Sequence, residues 1–493
     1  MGHLQEIEPV HTSASLEWTK KDDGIYGRDL DSVEQFYDFI SKVGIGRPEK
    51  TNWSVSMGLK VSTEREDLVG DIKRAWIALR QEFPSLAAFI QKGKWVYNTI
   101  DREGLGHWLE ETLLVHHDID KPCRSFFPLE DMVQSNRAVL HVFPNTHEMV
   151  IQGPHTHLDG TGMILFFDKL LKILVSPVLP GETGETSSSK NSEVANLVPP
   201  LAITAQIPEP SLEQRETFSK SMGDFLKAQP GIKLSAENTT SPAAKSRLLW
   251  LTFNMEQTKQ IAVKSKSLGV TVTAALQAAI THASRIHGGK NAREHAIMAL
   301  YDARSYIDAK TYPRSRLISP QVFAMPAVYP ALDSFAETAR AARHEFLRFA
   351  EGDVVRATSP LWAKETIDLL SMPLPAGASI PGDLNFSSLG VLDRLIQPFY
   401  RHGDGSPTGQ ERPGIEVMDL WIGLDMLHPT CLVEAWTFKG RLRVELIYNE
   451  AYHTKESMEY LCSLIHEQLS HGLGLDLTYD LRGQGQEEWF TRE

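Results

Sequence analysis

The chain has 493 residues, 42% apolar and 23% charged, with a formal net charge of −13. That length exceeds one ordinary core and leads to an expectation of two or three domains. The acidic balance argues against a general nucleic-acid binder, which presents a basic face.

Three widely spaced cysteines, Cys123, Cys431 and Cys462, fit neither a zinc knuckle nor a disulfide framework and suit a reducing cytosol. The start, Met1-Gly-His-Leu-Gln-Glu-Ile-Glu8, has no apolar signal segment. No apolar run approaches the ~20 residues of a membrane span. A cytoplasmic, membrane-free protein acting as a monomer is expected.

Leu68, Val69, Ile72, Ala75, Trp76 and Leu79 fall at helical spacing, and Pro84 ends that helix. Two β-runs follow, Arg137–Phe143 and Glu148–Gly153, joined by Pro144-Asn145. A helix is expected from about Gly162 to Ile173. The stretch Pro177–Lys190 is rich in turn formers and small polar residues, so it reads as a flexible linker, with a polar counterpart at Lys233–Lys245. Between them Pro210–Ala228 reads as a short helix.

The second half restarts with a strand, Arg247–Asn254. A helix over Val272–Ile286 follows, with Thr271 as N-cap and Gly288-Gly289 as stop. Cys431–Phe438 and Arg441–Tyr448 form a hairpin across Lys439-Gly440. Its second strand alternates Leu442, Val444, Leu446 and Tyr448 with Arg441, Arg443 and Glu445, which predicts one buried face. A last helix runs from near Thr454 to near Gly472. The fold class is α/β, in two layers that each pair a mixed sheet with helices.

The stretch His155-Thr-His-Leu-Asp-Gly160 carries the strongest chemical signal. It lies between a β-run and the apolar run Met163-Ile-Leu-Phe-Phe167. A hydroxyl is a poor nucleophile until its proton is removed, and a neutral histidine with a pKa near ~6.5 can remove it. His155-x-x-x-Asp159-Gly160 therefore reads as an acyl-transfer base. Gly160 fits a tight turn. Asp159 either orients the imidazole or locks the turn through a salt bridge. The rival reading is His155-x-His157-x-Asp159 as a metal site in a metallo-hydrolase. Such sites continue with a further histidine where Gly160 stands, and His282, His287, His295, His402 and His428 fall in no ligand pattern. No metal is therefore assigned. The plainest reading makes both histidines packing or surface residues.

Tyr301-Asp-Ala-Arg304 follows the run Ala296–Leu300, and Asn385-Phe-Ser-Ser-Leu-Gly390 lies further on. With the histidine motif these resemble, in order and spacing, the chloramphenicol-acetyltransferase-like superfamily. That superfamily includes plant BAHD acyltransferases, peptide-synthetase condensation domains and fungal alcohol O-acetyltransferases. Ala75–Leu86, Leu446–Glu450 and Thr454–Leu464 extend the similarity over about Trp53 to His471. The resemblance implies two chloramphenicol-acetyltransferase-like domains, 1–210 and 211–493, with an active-site tunnel between them. It implies His155 as general base, Asp159 as its catalytic-motif partner, and an Asp159–Arg304 bridge as structural support beside Gly160.

The Asp-Phe-Gly-Trp-Gly element of the plant enzymes is missing, with Asn385–Gly390 nearest to its place. Pro154 replaces the first histidine of the condensation-domain pair. The chain most resembles fungal trichothecene O-acetyltransferases of the 15-O type. The expected activity is O-acetyl transfer from acetyl-CoA, a co-substrate rather than a bound cofactor, to a secondary-metabolite alcohol such as a sesquiterpenoid. A condensation-type amide or ester former is the alternative. Asn385, Ser387 and Ser388 are candidate substrate or oxyanion contacts. Lys245, Arg247, Lys264 and Lys266 are candidates for the CoA phosphates, and Trp421, Phe323, Tyr329 and Trp436 for an apolar acceptor cavity.

Gly403–Gly414 lacks the Gly-Lys-Ser/Thr end of a phosphate loop and reads as a surface hairpin. Val43–Pro48 lacks a dinucleotide fingerprint. His116-His117-Asp118 reads as a surface loop.

Overall fold

The computed structural model describes residues 15–129, 132–133, 135–176, 192–289, 292–372, 382–401 and 414–484. The expected linker at 177–190, most of the hairpin at 403–414, His402 and the chain start lie outside them.

Capping chemistry and apolar period set the helices much as their sequences dictate. Asp67 caps Leu68–Glu82, and Ile72, Ala75, Trp76 and Leu79 form its buried stripe. Thr271 caps Val272–His287, and Thr454 caps Lys455–Leu473, which ends at Gly474 in the left-handed region. Ser211 and Gln214 form a capping box on Leu212–Lys227. Among the described residues, no helix is long and apolar enough to cross a membrane.

A six-stranded mixed sheet holds the histidine motif. Its order is Phe399–Tyr400, Ile415–Leu424, Ser54–Thr63, Glu148–Pro154, Val139–Phe143, Leu113–Val115. The last pair is parallel and the rest antiparallel. Ile415–Leu424 comes from the second half of the chain and pairs with Ser54–Thr63. A five-stranded mixed sheet lies wholly in the second half, in the order Leu384–Val391, Cys431–Phe438, Arg441–Asn449, Ser246–Thr252, Asp480–Gly483.

The second sheet corrects one expectation. Leu442, Val444, Leu446 and Tyr448 do enter the core under the second-half helices. The opposite face is buried too, because Trp250, Leu432, Trp436 and Phe438 join the core of the motif sheet. Arg443 and Glu445 are consequently buried charges. They survive there in pairs: Arg443 lies 2.9 Å from Asp419, and Arg124 lies 3.4 Å from Glu445 while stacking over Trp250.

Two other expectations change. The polar stretch Lys233–Lys245 is pinned rather than loose: the Leu234 N–H donates to Gly382, Glu237 to Tyr452 and Ala243 to Ile45. His116 is not on a free surface loop. It stacks on Phe143 and lies 3.0 Å from His141, a wholly buried residue.

Candidate active site

The site forms where three neighbouring strands end together. Register places Ser54 opposite Pro154, and Leu424 opposite Val55. Trp53, His155 and Asp425 therefore lie in a row along one edge of the sheet, on strands ~4.8 Å apart. The motif strand Glu148–Pro154 is buried at every residue. It turns through 155–159 and enters the helix Gly160–Leu174, whose N-cap is Asp159.

Asp159 spends its whole carboxylate on scaffold. Oδ1 accepts from the Gly162 N–H at 2.6 Å and from Arg304 Nη2 at 2.8 Å. Oδ2 accepts from Arg304 Nη1 at 3.1 Å and from the Gln321 N–H at 2.8 Å. Arg304 is fully buried and also donates to the carbonyls of Leu317 and Ser319. The pair of parallel bonds makes a bidentate clamp. No hydrogen bond joins Asp159 to His155 among the described residues.

His155 is half-buried. The Tyr37 ring stacks on it with centroids 4.5 Å apart and planes 20° apart, and Trp53 lies 6.2 Å away at 50°. Nδ1 is buried without a well-directed partner, and the carbonyls of His155 and Leu158 bear on the ring. His155 Nε2 makes no hydrogen bond among the described residues, which leaves it open to a reacting group. Burial pulls the His155 pKa below its ordinary value, partly opposed by the carbonyls and by the Asp159 carboxylate. The ring is therefore held neutral and stacked in place.

His157, two residues on, does a different job. Its Nε2 lies 2.9 Å from the Ala88 carbonyl, its Nδ1 2.9 Å from Thr156 Oγ1, and its ring meets Trp95 edge-on. A buried carbonyl needs a donor, so Nε2 carries the proton and Nδ1 accepts from the hydroxyl. Both nitrogens are occupied and the Asp159 carboxylate is saturated, so the metal reading has no free ligand beyond His155. His157 pegs the turn to the loop at Ala88.

The two motif glycines also separate. A Cβ on Gly160 would sit 3.0 Å from Leu389 Cδ2, so this glycine admits the strand Leu384–Val391 rather than making a tight turn. A Cβ on Gly162 would fall 2.0 Å from the Ile318 carbonyl oxygen. Gly162 is thus the position where backbone approaches backbone, a requirement that the local sequence does not signal.

The other candidates scatter. Ser388 is exposed with its hydroxyl 3.0 Å from Thr273 Oγ1. Ser387 is half-buried beside Glu434 in register, and Asn385 beside Leu432. Glu434 is buried against Glu445, and burial first, then that neighbour, pushes its pKa up to about 8. Arg247 is engaged with Glu450 at 2.6 Å, whereas Lys245, Lys264 and Lys266 are exposed. Trp421, Phe323, Tyr329 and Trp436 are all core residues. The aromatic residues that do flank His155 are Tyr37 and Trp53, with Phe36 and Trp362 packed behind them. Their sequence signal is weak, because only long-range pairing brings them to the motif.

No family model matches the chain. It is 22% identical over 480 residues to O-acetyltransferase pigM of Monascus ruber, covering 94% of this chain and 88% of that protein. It is also 22% identical over 505 residues to the loline biosynthesis cluster 1 transcription factor lolU1 of Epichloe uncinata, covering 94% of this chain and 98% of that one. Among solved structures, TRI3 trichothecene 15-O-acetyltransferase of Fusarium sporotrichioides superposes with a TM-score of 0.78. The match is 14% identical and covers 94% of this chain and 99% of that one. The first condensation domain of the calcium-dependent antibiotic synthetase matches with a TM-score of 0.60 at 11% identity, over 91% and 97% of the two chains. The chain therefore has the α/β fold that trichothecene 15-O-acetyltransferase shares with peptide-synthetase condensation domains.

Proposed function

We propose that the protein is an acyl-CoA-dependent O-acyltransferase that moves an acetyl group from acetyl-CoA to a hydroxyl of a secondary metabolite, with His155 as general base. A sesquiterpenoid of the trichothecene type is the acceptor favoured by the likeness to TRI3. The observation that carries the reading is the division of labour in the motif. Asp159 and His157 are consumed by scaffold, and His155 alone keeps a nitrogen for chemistry.

The acceptor hydroxyl hydrogen-bonds to Nε2 of neutral His155. Its oxygen attacks the thioester carbonyl as the proton passes to Nε2, and the carbonyl electrons move to oxygen. The tetrahedral oxyanion then collapses and the C–S bond breaks. The departing thiolate recovers the proton from the imidazolium, which gives ester, free CoA thiol and neutral His155. General-base assistance of this kind is worth ~10²–10⁴-fold. A hydrogen bond to the oxyanion adds further rate, and Ser387, whose hydroxyl has no hydrogen-bond partner among the described residues, is the candidate donor. All three cysteines are buried, and burial raises the thiols of Cys431 and Cys462 far above the usual range, so direct transfer is favoured over a thiol-bound acyl intermediate.

The test is to incubate the protein with acetyl-CoA and a panel of fungal sesquiterpenoid alcohols, other apolar alcohols and primary amines, following thiol release and product mass. Ester formation with an alcohol supports the reading. Amide formation alone would move the protein to the condensation class. No product with any acceptor would point to a ligand-binding relative.

A further inference from the structure

Trp53 and His428 form a pair that the scaffold alone does not require. Trp53 has φ of +58°, a conformation that a bulky side chain rarely adopts. The strained backbone is held from several directions. The Trp53 N–H donates to the Asp425 carbonyl at 2.8 Å. Its neighbour Asn52, wholly buried, donates from Nδ2 to the Ile40 carbonyl and accepts from the Leu427 N–H. His428 sits in the connection between Ile415–Leu424 of the motif sheet and Cys431–Phe438 of the second sheet.

Trp53 Nε1 lies 3.2 Å from His428 Nε2. Indole nitrogen can only donate, so His428 Nε2 must accept and its proton must sit on Nδ1. Burial lowers the His428 pKa to about 4, which keeps the ring neutral and able to accept. His428 Nδ1 is then a buried donor with no acceptor among the described residues. Strain at one member and an unmet donor at the other both cost stability, and an apolar side chain in place of His428 would remove the unmet donor. The indole itself is only half-buried, beside the half-buried imidazole of His155 and one strand away from it.

We propose that Trp53 forms the wall of the acceptor subsite, and that His428 is the positioning residue that fixes its indole. This rests on His155 being the acyl-transfer base. The indole, braced by Phe36 in a T-shaped contact at 6.0 Å, takes a flat or rigid apolar acceptor. It sets the approach of that acceptor's hydroxyl to Nε2. On this assignment the pair controls acceptor recognition and not acetyl-CoA binding.

The experiment compares Trp53→Leu, His428→Phe and His428→Gln with wild type, using an alcohol turned over by the protein. Trp53→Leu and His428→Phe should raise the acceptor KM roughly ten-fold or more, leave the acetyl-CoA KM unchanged, and for His428→Phe leave thermal stability unchanged or higher. His428→Gln retains an acceptor oxygen and should restore much of the acceptor KM. Unchanged acceptor KM, or equal rises in both KM values, would overturn the proposal. If no alcohol is turned over, calorimetric binding of 2-naphthol to wild type and Trp53→Leu reads the subsite separately. Weaker binding by the variant supports the wall, and equal binding or no binding to either contradicts it.

Discussion

Arg304 clamps Asp159 through two parallel hydrogen bonds of 2.8 and 3.1 Å, across 145 residues of sequence. The clamp ties the N-cap of the motif helix to the stretch after Glu294–Asp302, and so fixes the turn that carries His155. Removing Arg304 leaves a buried carboxylate with only two backbone donors. Arg304→Met should therefore cost ~3–5 kcal/mol in urea unfolding. The double variant Arg304→Met/Asp159→Asn should cost clearly less than the sum of the singles. Additive losses would mean that the two side chains do not act as one unit.

The motif glycines should rank in an order that their spacing alone does not give. Gly162→Ala drives a Cβ to 2.0 Å from a main-chain oxygen, which cannot yield without moving the Ile318 segment. Gly160→Ala meets only the end of the Leu389 side chain. Unfolding should show a loss of ~3 kcal/mol or more for Gly162→Ala and within ~1 kcal/mol of wild type for Gly160→Ala. The reverse order would contradict the close approach.

Much of the fold was legible because its signals are local. Caps at Thr271 and Thr454, the turn at Lys439-Gly440 and the apolar stripe around Trp76 each decide structure within a few residues. The resemblance named His155, Asp159 and Arg304, and the structure pairs the Asp159 and Arg304 side chains. Residues chosen by long-range pairing were not legible. Trp53 reaches His155 only because Ser54–Thr63 pairs with Glu148–Pro154, and His428 only because Ile415–Leu424 crosses into the first-half sheet. The burial of Arg443 and Glu445 was missed for the same reason, since the sheet face they occupy is covered by the other half of the chain.

The buried histidines should destabilise the fold in acid over a defined window. Burial holds His141 at about 3 and His157, His295 and His428 at about 4, against an ordinary value of 6.5. Between those values the unfolded chain binds more protons than the folded one. Their contribution is present above pH 6.5 and is lost as pH falls through the folded values, by up to about 1.4 kcal/mol per pH unit for each group. Buried acids oppose this: burial raises Glu434 to about 8, Glu445 to about 7 and Asp31 to about 6, and each stabilises the fold as pH falls through its raised value toward the ordinary carboxylate range. The two sets offset each other in wild type, so the histidine contribution is read as a difference: between pH 6.5 and 4 the urea midpoint of wild type should fall relative to that of His141→Gln. Parallel profiles for the two proteins would contradict a buried neutral His141.

The base itself should show in the rate. Burial lowers the His155 pKa, so the neutral form persists to lower pH than for a free imidazole. The acid limb of kcat/KM should inflect below ~6.5. An inflection above that value would mean that the titrating group gains its proton more readily than this environment allows.

The central claim is that His155 alone takes the proton. The direct measurement is acceptor-dependent thiol release from acetyl-CoA by His155→Ala, with wild-type secondary structure confirmed by circular dichroism. The account predicts a rate reduced by ~10²–10⁴-fold, with the clamp and the fold intact. A folded His155→Ala protein that transfers the acetyl group at the wild-type rate would contradict it.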